Sequence, residues 1–174
     1  VSLRGAVFAV VTALASSGCF VREGEPARAS ERAAGEPVQF TFGTLQGEEL
    51  SSDTTRGRTT ALLFVTTYDL PSQAEAQLLR DVLATHKPRA NGVIVMMEPP
   101  RAADLAQVWA KSINVDLPIA MASPTLMSGD SELGRVNGVP TLIVLDRRGR
   151  LRERREGALT REEISAALAG AERP

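Results

Sequence analysis

Three short runs of almost unbroken apolar residues constrain this chain more than anything else in it: TTALLFVT (59–66), GVIVMM (92–97) and TLIVL (141–145). A strand with one face in water alternates apolar and polar residues, whereas a strand covered on both faces reads as a continuous apolar run. Between the first two runs Leu78, Leu79, Val82 and Leu83 recur at helical spacing and form one stripe. Strand, helix and strand in that order predict parallel pairing through a right-handed crossover. The predicted class is α/β: one mixed central sheet with helices on both faces.

The rest of the chain fits around that centre. Phe40 and Phe42 alternate with polar neighbours and predict a strand, an N-terminal β extension of the sheet. Residues 47–58 read as a turn and loop, 71–86 as the first long helix, and 102–113 as a helix with Leu105, Val108 and Trp109 inward. A short strand is predicted at 118–121 and a helix at 125–133. After the strand at 141–145, residues 146–149 read as a turn and 150–155 as a returning strand. Thr160 and Glu163 form a capping box ahead of a last helix carrying Ile164 and Leu168.

The N-terminus has a different character. Arg4 precedes the apolar run AVFAVVTALA at 6–15, and small residues then lead to Gly18 and Cys19. A positive start, a run of this length and small residues at its end read as a secretory signal. The run is shorter than the roughly 20 apolar residues of a membrane-spanning helix. Gly-Cys at its end resembles the bacterial lipobox, although Ser16 stands where that motif usually has Leu. The resemblance implies lipidation at Cys19, and Phe20 after it leans towards the outer membrane. Residues 22–36 hold Pro, Gly, Ala and charges without an apolar period, so they cannot build a core. The expected organisation is a signal peptide at 1–18, a flexible tether at 19–36 and a folded domain at 37–174.

Composition removes several functions. Lys+Arg is 20 and Asp+Glu is 21, so no net charge argues for nucleic acid. One cysteine and one histidine exclude an intrachain disulfide and a Cys/His zinc site. No cofactor motif is present.

At the first strand–helix junction the chain reads LLFVTTYDLPSQAE (62–75), and further on Asn137-Gly138-Val139-Pro140-Thr141 precedes an apolar strand and a charged turn. Both segments resemble thioredoxin-like proteins. From residue 37 onward the chain is similar to the membrane-anchored TlpA/ResA-type thiol–disulfide proteins of bacteria. The resemblance implies a thioredoxin-like fold, a cis proline at Pro140 facing the redox segment, and a location in the cell envelope facing the periplasm. It also marks a departure. Asp69 and Ser72 occupy the two positions of the Cys-x-x-Cys pair. Tyr68 keeps the aromatic before it, while Val65 replaces the usual Trp. Disulfide exchange needs a thiolate attacking sulfur, so a redox-inactive member of the family is expected. What the family retains without sulfur is main-chain pairing with an extended segment beside the proline. Tyr68, Asp69, Val139, Pro140 and Thr141 are the candidate surface, and an envelope protein or peptide is the expected partner. The alternatives are a thiol–disulfide oxidoreductase by fold, or another activity at Asp69.

Each candidate also has a plainer reading. Asp69 and Ser72 suit a helix start, where their oxygens accept free backbone N–H groups, and Ser72 with Glu75 matches a second capping pattern. His86 reads as an exposed residue at a helix C-terminus. Met96, Met97, Met121 and Met127 read as packing residues rather than soft-metal ligands. Arg147, Arg148, Arg150, Arg152, Arg154 and Arg155 form a basic hairpin, with 150, 152 and 154 on one face. It reads as a charged edge that discourages strand pairing, or as an anion or lipid-headgroup contact.

Overall fold

The computed structural model describes residues 35–173. At its centre five strands lie in the order β5-β4-β3-β6-β7. Strand β3 (Thr60–Val65) pairs in parallel with β4 (Asn91–Met96), and β4 with β5 (Ile119–Met121). On the other side β3 pairs antiparallel with β6 (Thr141–Leu145), and β6 with β7 (Leu151–Glu156). The sheet is therefore mixed, and the three continuous apolar runs are its three central strands.

Alternation along those strands divides the core. Ala61, Leu63, Val65, Ile94, Met96, Leu142 and Val144 face α2 (Leu70–Thr85), α3 (Ala103–Ser112) and α5 (Arg161–Ala171). Leu62, Phe64, Val93, Val95, Ile143 and Leu145 face the other way, against Val38, Phe40, Phe42 and the short α4 (Pro124–Ser128). Helices thus cover both faces, the three longer ones together. Met96 and Met97 pack on opposite sides of the sheet.

The N-terminal extension is a small hairpin of β1 (Thr41–Gly43) and β2 (Glu49–Ser51). It leads straight into α1 (Ser52–Thr55), which carries its own capping box at Ser51. A strand and a helical turn therefore stand where the sequence predicts only loop. The hairpin joins the sheet edge through a bridge between Thr44 and Ala120. The predicted helix at 125–133 is cut to five residues, because Gly129 takes φ 88° and closes its C-terminus.

Two expectations about helix faces need correction. In α3 the inward residues are Ala106, Trp109 and Ala110, while Leu105 and Val108 are exposed. Two stripes share Trp109; the one with alanines lets the helix approach the sheet closely, and that one is buried. His86, the C-cap of α2, is not exposed: its ring is paired with Glu172 at 2.9 Å, with side chains 10% and 15% exposed. Among the described residues no helix is long and apolar enough to cross a membrane. The candidate lipidation site, Cys19, the signal peptide at 1–18 and all of the tether at 19–36 except Gly35 and Glu36 lie outside the described residues.

Candidate functional site

The site grows from the loop that leaves β3. Thr67 is fixed by Glu98, whose carboxylate accepts from the Thr67 N–H at 3.2 Å and from its hydroxyl at 2.7 Å. Glu98 follows β4, so parallel pairing of β3 and β4 brings the two loops together. Two residues later Asp69 is the N-cap of α2. Its Oδ2 accepts from the Ser72 N–H at 2.8 Å and from the Ser72 hydroxyl at 2.6 Å. Pinned between Thr67 and Asp69, Tyr68 is 79% exposed, and Leu70 beyond the cap is 74% exposed.

The second half of the site comes from β6. Phe64 pairs with Thr141, so Pro140 lies beside the end of β3, where the 66–69 loop turns into α2. The Val139–Pro140 peptide bond is cis. Pro140 and Thr141 are buried, and the Thr141 hydroxyl donates to the Gly138 carbonyl at 2.7 Å. Val139 is half-buried, and its N–H and carbonyl make no hydrogen bond among the described residues. All five residues of the expected surface thus meet at one end of the sheet.

Beneath them lies a group that the motif reading misplaced. Glu75 caps nothing: it is fully buried. Its Oε2 accepts from the Leu159 N–H at 3.0 Å, and its Oε1 has no partner among the described residues. Burial pushes its carboxyl up to about 7, against the lowering effect of the Leu159 hydrogen bond; Glu163 nearby adds to the rise. The signal was present in the sequence. Ser72, Glu75, Leu79 and Val82 share one helical stripe, and the last two are core residues. Glu75 is also tied to the proline loop, because Gly157, two residues before Leu159, donates its N–H to the Pro140 carbonyl at 2.9 Å.

The chemistry open to Asp69 and Ser72 is narrow. Ser72 is fully buried and its hydroxyl proton is held by Asp69. A serine nucleophile needs an accessible oxygen and a base such as histidine. The only histidine, His86, is the C-cap at the far end of α2, about 21 Å away by helical rise. The pair acts as a helix cap.

With this geometry in hand, comparison with solved structures is decisive for the architecture. A thiol:disulfide interchange protein of the thioredoxin family from Chlorobium tepidum shares 23% identity at a TM-score of 0.63, over 78% of this chain and 94% of that one. The fold is thioredoxin-like. A secreted Mycobacterium tuberculosis disulfide oxidoreductase homologous to E. coli DsbE gives 20% and 0.61, over 75% and 95%. An exposed lipoprotein thioredoxin of Streptococcus pneumoniae gives 17% and 0.62, over 75% and 98%. No protein-family model and no curated protein sequence matches the chain. The cap of α2 and the cis-proline loop lie at the same end of the central sheet.

Proposed function

We propose that this chain is a redox-inactive, TlpA/ResA-type thioredoxin-like lipoprotein of the bacterial cell envelope, which binds an extended segment of a protein or peptide. One observation carries the reading. The cis-proline loop and the head of α2 stand at the same end of the sheet, and on this reading the carboxylate of Asp69 and the hydroxyl of Ser72 take the places of the two thiols. Electron transfer through a dithiol is then out of reach, while recognition by main-chain pairing is not. The unengaged amide and carbonyl of Val139 supply one edge for such pairing. Tyr68 and Leu70 supply exposed apolar surface beside it; a tyrosine costs little conformational entropy to order and is a frequent binding anchor. The envelope location is supported by the signal-like N-terminus and by the secreted and lipoprotein neighbours.

Affinity capture from envelope extracts, comparing the full chain with a Tyr68→Ala plus Val139→Asp variant, addresses the surface. The double variant should lose a discrete partner that the wild type retains; identical partner sets would remove the surface from the proposal. Insulin reduction by dithiothreitol, read as turbidity, separates the oxidoreductase alternative. No acceleration over the uncatalysed rate is expected, and robust turnover by the Cys19→Ala chain would overturn the redox-inactive reading.

A further inference from the structure

Opposite the proline loop, at the end where β3, β4 and β7 begin, the domain is strongly cationic despite its balanced composition. Arg58, Lys87, Arg89, Arg147, Arg148 and Arg173 sit in the connections entering these strands or just after α5. None of their side chains has a hydrogen bond or ion pair among the described residues. The carboxylates nearby are largely committed. Asp146 holds Arg150 at 2.7 Å, Glu172 holds His86, and Asp53 holds Arg56 at 3.3 Å. Glu36 and Asp116 also lie on this side. Arg147, Arg148 and Arg173 border an open cleft of about 310 Å³ between the β6–β7 turn and the end of α5.

The chain also enters the domain here. Pro37 forms a bridge with Arg150, and the Val38 N–H donates to the Gly149 carbonyl at 2.9 Å. Only eighteen positions separate Cys19 from Pro37. Whatever their conformation, they span at most about 60 Å. A membrane attached at Cys19 would therefore be tethered through this end of the domain.

We propose that this cationic end is a membrane-docking face that engages the phosphate headgroups of anionic lipids, holding the proline loop away from the bilayer. The placement next to the membrane rests on the lipid-anchor reading of Cys19; the headgroup contact does not. Basic groups near a negative surface are attracted over about a Debye length, and each contributes roughly a fivefold gain in partitioning. The hairpin arginines divide accordingly. Arg150, Arg152 and Arg154 are consumed within the fold, by Asp146, the Arg173 carbonyl and the 133–135 loop carbonyls respectively. Arg147 and Arg148 at the turn face solvent.

The experiment uses the full chain with Cys19→Ala, so that no acyl chain contributes, and sediments it with phosphatidylglycerol-containing or pure phosphatidylcholine vesicles at low salt. Arg147→Gln plus Arg148→Gln should weaken phosphatidylglycerol binding about 25-fold. Arg101→Gln plus Arg135→Gln, an equal charge change towards the other end, should leave it unchanged. Raising salt to about 0.5 M should abolish the difference. Equal losses for both pairs would overturn the proposal in favour of undirected attraction. Displacement by millimolar inorganic phosphate would overturn it in favour of a free-anion site. Metabolic labelling of the wild type with a radioactive fatty acid is scored separately: its absence would reject the Cys19 anchor and leave the headgroup result standing.

Discussion

Glu75 is where a single residue departs furthest from what its neighbours in sequence imply. Its carboxyl titrates near 7 in the fold, against 4.5 ordinarily. The folded chain therefore holds this proton more tightly than the unfolded one. The stabilisation is complete below about pH 4.5 and is lost as pH rises through about 7. The loss is on the order of 3 kcal/mol. Urea midpoints should fall between pH 5 and pH 8, and Glu75→Gln should flatten that part of the curve; a wild-type midpoint that climbs over this range would contradict the burial argument. At Asp69 the cap makes a different prediction. Asp69→Ala should cost about 1 kcal/mol of stability through loss of the α2 cap, and Asp69→Asn only a few tenths. If Asp69→Asn abolishes partner capture while leaving thermal stability intact, the carboxylate has a role beyond capping.

At the level of elements, legibility followed burial. The central strands were readable because a strand covered on both faces has no polar alternation to confuse it, and β6 matches its predicted range. Capping chemistry was equally readable at α5: Thr160 accepts from the Glu163 N–H at 3.2 Å, and Glu163 accepts from the Thr160 N–H at 2.8 Å. What failed was the choice between equivalent patterns. Ser72-x-x-Glu75 looks like a cap from sequence, but Asp69 starts α2 three residues earlier and turns Glu75 inward. In α3, Trp109 belongs to two stripes, and only the approach of the sheet selects one. β2 and α1 were hidden because three- and four-residue elements carry too little periodicity to register. The β6–β7 turn shows a polar element under the same physics. Asp146 is 5% exposed and accepts from the Arg148 N–H, the Arg150 N–H and the Arg150 guanidinium. Burial alone would raise its carboxyl, but these hydrogen bonds hold it below the usual range. Asp146→Ala leaves Arg150 and two amides unpaired and should destabilise the domain by about 2–3 kcal/mol in chemical denaturation.

For the molecule as a whole, the two ends of the sheet divide the labour proposed here. One end carries the proline loop, the capped head of α2 and the exposed Tyr68; the other carries the unpaired cations and the entry point of the chain. The scaffold between them is thioredoxin-like, and the proposed reading puts Asp69 and Ser72 where such scaffolds carry a dithiol. Asp69→Cys plus Ser72→Cys should therefore bring measurable insulin reduction to a chain expected to show none without them. Failure of that variant, if folded, would mean that the surroundings have also drifted from those of a working dithiol.

The bridge from Pro37 to Arg150 has a mechanical meaning. Pro37 and Arg173 lie at the same pole, so tension drawn through the N-terminus loads the β6–β7 turn first. A moving partner gripping the opposite pole would stretch the sheet along its strands, the direction in which hydrogen-bonded ladders shear rather than unzip.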